Sequence, residues 1–137
     1  MTSTFDLAHA LETAREAEKA QAVFYRSLAA EAEVRGHDAL SERFNELHAD
    51  EQHHLSRLTA RLLELDAHPA DLSHVRGVPE DYDHWEAVAR PREEAEVRRY
   101  EALLAEELDA HTRTLLEEIL DTERHHASEL GGKWTPA

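Results

Sequence analysis

Two short strings in this chain pair a carboxylate with an imidazole at one spacing: Glu51-x-x-His54 and Glu123-x-x-His126. On a helix, residues three apart lie one turn apart on the same face, so each string can offer an oxygen and a nitrogen to a single ion. One such string is an ordinary feature of a solvated helix surface. Here the string occurs twice, and its surroundings repeat with it. Glu18-x-Ala20-x(4)-Tyr25 returns 75 residues later as Glu93-x-Ala95-x(4)-Tyr100, and Glu51-Gln52-His53-His54 returns 72 residues later as Glu123-Arg124-His125-His126. The chemistry these residue types suit is the binding of two divalent cations. Four carboxylates, from Glu18, Glu51, Glu93 and Glu123, balance two divalent charges, and neutral His54 and His126 leave that sum unchanged.

Such a set needs four helices to carry it. Glycine and proline are sparse, with four of each, while Ala, Leu, Glu and Arg dominate, which favours helices over strands. A first helix is predicted over about 6–34, capped near Thr4 or Asp6 and stopped by Gly36. A second runs from about 38 until His68-Pro69. Pro69, Asp71, Ser73, Gly77, Pro79 and Asp81 then break the periodicity, so 68–90 is expected to be one long crossover. Pro91, a favoured first-turn residue, opens the third helix, which extends to about Leu108. Asp109 or Thr112 can cap the fourth, which ends at Gly131-Gly132. The expected fold is all-α: one antiparallel four-helix bundle built as a doubled hairpin (about 5–67 and 91–131), with a short tail at 132–137, as a single domain over residues 1–137.

Apolar seams run along these helices at alternating spacings of four and three, and each is interrupted by polar residues. The first reads Leu7, Leu11, Ala14, Glu18, Gln21, Tyr25, Leu28, Ala32; the second reads Leu40, Phe44, Leu47, Glu51, His54, Leu58. The third reads Glu93, Glu96, Tyr100, Leu103, and the fourth Leu116, Ile119, Glu123, His126, Leu130. Counted from the hairpin turns at 1.5 Å per residue, Glu18, Glu51, Glu93 and Glu123 fall within roughly one helical turn in height. Left bare in a bundle interior, each charge costs several kcal/mol even after relaxation. No seam arginine or lysine stands at that level, so metal ions are the stronger compensation.

The formal charge of −15 argues against a nucleic-acid partner. The absence of cysteine excludes disulfides, zinc ribbons and iron–sulfur centres, so any electron donor is external. The start of the chain lacks a basic stretch followed by an apolar one, and no apolar run approaches membrane-spanning length. A cytoplasmic protein with no membrane partner is expected.

These residues resemble the ferritin-like superfamily, in particular its rubrerythrin and bacterioferritin branches, over nearly all of the four helices. The resemblance implies Glu18, Glu51, His54, Glu93, Glu123 and His126 as ligands of two iron ions, or of manganese, with Glu51 and Glu123 bridging. In rubrerythrins a further glutamate, three residues after the first on helix three, exchanges with a histidine ligand as iron changes oxidation state. Glu96 holds that position, with Gln21 as its mirror. Its alternative is to face solvent while Val97 takes the seam. Gln52 stands where bacterioferritin supplies its haem-binding methionine, so no haem is expected; the tail is too short for the fifth helix of cage ferritins. Tyr25 and Tyr100 can hydrogen-bond ligating carboxylates on neighbouring helices or serve as plain core tyrosines. His53 and His125 are expected near the surface, and Trp85 and Trp134 as apolar plugs.

The function implied is that of a di-iron oxidoreductase in which Fe(II) is oxidised by hydrogen peroxide or oxygen, working as a homo-oligomer. Glu96, Tyr25 and Tyr100 are the residues beyond the ligands expected to act in it. The alternatives are ferroxidation and iron storage without turnover, and an oxygenase, which would need an apolar channel for an organic substrate. Because the predicted second hairpin stops just beyond the ligands, segment 68–90 or a second subunit is expected to cover that end and control access of oxidant.

Overall fold

The computed structural model describes residues 5–76, 81–131 and 134. Four helices, α1 (Leu7–Val34), α2 (Asp38–Glu64), α3 (Trp85–Leu104) and α4 (Ala110–Glu129), form the bundle, and there is no strand among the described residues. α1 packs along α2 and α3 along α4; the two hairpins then meet through α1 against α3 and α2 against α4.

Local chemistry sets most of the boundaries. Asp6 caps α1 by accepting from the His9 amide at 3.1 Å, and Asp109 caps α4 by accepting from the Thr112 amide at 2.9 Å. Between α1 and α2 the chain turns through Gly36 at φ +71°, a backbone conformation glycine adopts without strain. α3 ends at Leu104, a turn earlier than the apolar pattern suggests. There the Arg113 guanidinium takes the carbonyls of Leu104 and Glu106 at 3.1 and 3.0 Å, and the chain turns into α4.

The larger difference lies at the start of α3. The helix begins at Trp85, with Pro91 inside it rather than at its first turn. A proline inside a helix costs roughly 3 kcal/mol through the lost hydrogen bond and ring clash. Burying a large aromatic at the helix start offsets that cost: Trp85 is 2% exposed and meets the Phe44 ring edge-on at 4.6 Å. Residues 85–90, read from the sequence as crossover, thus form two further turns of helix at that end of the second hairpin.

Early in the crossover, Ala70 is strapped to the first hairpin. Arg15 donates to Thr59 Oγ1 at 2.8 Å, to Glu12 at 2.8 Å and to the Ala70 carbonyl at 3.0 Å, while Glu12 also accepts from the Ala70 amide.

Two apolar clusters fill the interior. Leu11, Leu58, Leu62, Leu116 and Ile119 lie in one, with Tyr100; Phe24, Phe44, Leu47, Trp85 and Leu130 lie in the other, with Tyr25. Replacing Trp85 by Ala should destabilise the protein by roughly 3–5 kcal/mol, the usual cost of emptying a buried aromatic site. Chemical denaturation measures this directly, and a loss under about 1 kcal/mol would mean that the α3 extension is not held by this residue.

Candidate metal centre

Each helix contributes acidic side chains to one buried layer. Glu18, Glu51, Glu93 and Glu123 are all 0% exposed, His54 is 3% exposed and His126 1%. All six seam residues expected as ligands meet there. His54 Nδ1 lies 3.1 Å from Glu123 Oε1, 3.5 Å from Glu18 Oε2 and 3.9 Å from Glu51 Oε1. His126 Nδ1 lies 3.3 Å from Glu51 Oε1, 3.6 Å from Glu93 Oε2 and 3.9 Å from Glu123 Oε1. Two overlapping donor groups result, Glu18–Glu51–His54–Glu123 and Glu51–Glu93–Glu123–His126, with the donor atoms of each group within 4.8 Å of one another. Glu51 and Glu123 belong to both.

Which atoms lack partners is informative. Glu18 and Glu93 each have one oxygen taken by a tyrosine: Tyr100 donates to Glu18 Oε1 at 2.6 Å, and Tyr25 to Glu93 Oε1 at 2.6 Å. Their other oxygens, both oxygens of Glu51 and of Glu123, and Nδ1 of both histidines have no hydrogen-bond partner. Buried polar atoms are seldom left so, and here they converge. The donor set suits divalent cations, since each group could hold one through carboxylate oxygens and one imidazole nitrogen.

Without ions, protons must do the neutralising. Burial, then the neighbouring carboxylates, push Glu51 and Glu123 well above the usual carboxylate range. Burial would raise Glu93 too, but contacts with His126, Glu123 and Tyr25 carry it below its ordinary value. For His126, burial would lower the pKa; Asp50 and Glu93 overcome that and raise it to about 9. Tyr25 and Tyr100 are held protonated by burial and adjoining carboxylates, so both remain donors.

Glu96 is brought inward, not to solvent: it is 5% exposed, and burial with the nearby Glu18 raises it to about 7. It belongs to neither donor group. Val97 is only partly buried beside it. Its mirror Gln21 donates to Glu93 Oε1 at 3.1 Å and accepts from Arg92 Nε at 2.6 Å. His53, His125 and Gln52 are exposed.

Sequence reasoning missed Asp50, which accepts from His126 Nε2 at 2.9 Å and fixes the ring with Nδ1 toward the cluster. Asp50 immediately precedes Glu51, but the 72-residue repeat puts Thr122 at the matching place, so neither the repeat nor the seam singles it out. Arg92, which props Gln21, was also missed.

The chain matches the family described as Ferritin: Ferritin-like domain over residues 8–133. No curated protein and no solved structure matches it. Among the described residues, no helix is long and apolar enough to cross a membrane.

The raised carboxyl groups set a pH dependence. Glu96, for instance, goes from an ordinary 4.5 to about 7 on folding. A carboxyl whose folded pKa exceeds its unfolded one favours folding at low pH and loses that contribution as pH rises through the folded value. Metal-free protein should therefore melt at progressively lower temperature from about pH 5 to about pH 8, and saturating Mn(II) should flatten or reverse that slope. Thermal melts with chelator and with Mn(II) measure both arms; a metal-free melting temperature that climbed across this window would contradict the protonated cluster.

Proposed function

The chain belongs to the ferritin-like domain family, and from that premise we propose a rubrerythrin-like di-iron oxidoreductase that reduces hydrogen peroxide, with oxygen as the slower oxidant. The observation that supports this most is the pair of donor groups sharing Glu51 and Glu123, their unpartnered atoms converging in a layer closed on both sides by apolar side chains. When bound, two Fe(II) ions would supply the two electrons that, with two protons, convert one hydrogen peroxide to two waters, and an external donor would return the electrons.

Each residue has a task in this reading. Glu18 and His54 would hold one ion and Glu93 and His126 the other, with Glu51 and Glu123 available to both. Tyr100 and Tyr25 hold one oxygen of Glu18 and of Glu93, leaving the second free to bind. Asp50 orients His126. Through Gln21, Arg92 steadies Glu93. The His126 side is thus anchored by three contacts, whereas Glu18 on the His54 side has Tyr100. Glu96 stands near Glu18 on that less anchored side, where its carboxylate could serve as a further ligand. Its pKa of about 7 also lets its carboxyl hold or release a proton near neutral pH. The apolar clusters keep bulk water from the layer.

Anaerobic reconstitution should give two irons per chain; many more would favour storage. In stopped-flow mixing, peroxide should oxidise the reduced protein faster than oxygen does, and Glu96→Ala should abolish that preference. Oxygen outrunning peroxide in the unmodified protein, or an unaffected Glu96→Ala variant, would retire the rubrerythrin-like reading.

A further inference from the structure

We propose that Arg99 is a positioning residue that holds Glu96 away from the metal cluster, so that the guanidinium and the ions compete for one carboxylate. The inference rests on the di-metal reading above and extends it to a residue outside the ligand set.

Three observations carry it. First, Arg99 Nε lies 3.7 Å from Glu96 Oε2, one turn along α3, and both atoms are buried without a hydrogen-bond partner. The guanidinium is thus the cation Glu96 faces, at a separation that attracts without fixing it. Second, Glu96 is 5% exposed yet lies outside both donor groups, while the adjoining Glu18 carboxylate belongs to one of them. A buried carboxylate beside a cation site but not in it needs another counter-charge. Of the two arginines beside it, Arg92 is occupied by Gln21 and lies over the Phe24 ring at 4.2 Å. Third, the internal repeat isolates the device. The 75-residue offset that takes Glu18 to Glu93 and Tyr25 to Tyr100 takes Gln21 to Glu96 and Phe24 to Arg99. Where one half has a neutral amide followed by an apolar ring, the other has an acid followed by a base. The charges occur together and on one side of the cluster only.

The Arg99 side chain is 34% exposed, so its head can move toward solvent if Glu96 swings inward. Removing the cation should leave the ions as the strongest attraction on Glu96, since Arg92 is held by Gln21, and shift it into the ligand shell.

Co(II) serves as the probe, because its visible d–d bands weaken as coordination number rises. Loaded protein carrying Arg99→Leu should lose d–d intensity and bind its second Co(II) roughly tenfold more tightly, the size typical of outer-sphere partners. Arg99→Lys should stay near the unmodified protein. In an Glu96→Gln background, Arg99→Leu should change nothing, because the effect acts through the carboxylate. Circular dichroism of each variant shows whether it is folded, and Arg99→Gln replaces Arg99→Leu if the latter is not. Unchanged spectrum and affinity in folded, fully loaded Arg99→Leu overturn the proposal, as does an effect that persists with Glu96→Gln. Failure of the unmodified protein to take up two Co(II) ions overturns the di-metal reading, and this assignment with it.

Discussion

Mutual repulsion among four carboxylates in one dry layer is the constraint around which the bundle is organised. Glu18, Glu51, Glu93 and Glu123 have no solvent exposure and, among the described residues, no guanidinium or ammonium hydrogen-bonded to them. Desolvating even one charge costs several kcal/mol, and breaking the balance of a buried charge network costs comparably. The compensating favourable terms lie on either side, in two clusters of Leu, Phe, Trp and Ile that hold the hairpins together. Those clusters set the height at which the carboxylates meet, but they cannot neutralise them. Protons or cations must, and the choice between them links the folding of this chain to its chemistry.

The doubling of the hairpin gives the cluster an approximate symmetry that its surroundings do not share. Tyr25 and Tyr100 cross between α1 and α3 in mirrored fashion, each to the other helix's glutamate, at the same 2.6 Å. Beyond that the halves diverge. His126 is fixed by Asp50 and Glu93 by Gln21 with Arg92, whereas Glu96 and Arg99 occupy the mirror places of Gln21 and Phe24. One side is braced by neutral and ionic hydrogen bonds; the other has a spare buried acid and a cation just out of bonding range. Braced donors impose one geometry, and a spare acid permits two.

Much of this was legible from residue spacing. The Glu-x-x-His strings, the repeat offsets and the interrupted seams place the six residues on inward faces at one height, because helix periodicity alone fixes which face a residue occupies. The caps at Asp6 and Asp109 were legible for the same local reason. What was not legible depended on tertiary contacts. Pro91 reads as a helix start, and only the packing of Trp85 on Phe44 shows why α3 begins two turns earlier. Asp50 faces away from the core stripe of α2, so periodicity gave no reason to look there; it matters because α4 brings His126 to it. The burial of Glu96 over Val97 was likewise undecidable from the seam, since a helix rotation of a few tens of degrees exchanges them.

Anomalous diffraction at the iron edge, from crystals grown with abundant Fe(II) under anaerobic conditions, tests most directly whether ions hold this layer together. Two peaks about 3.5–4 Å apart, flanked by Glu51 and Glu123 with His54 nearest one and His126 nearest the other, are the expected result. A map without peaks among these side chains, or one in which they turn outward to solvent, would contradict it.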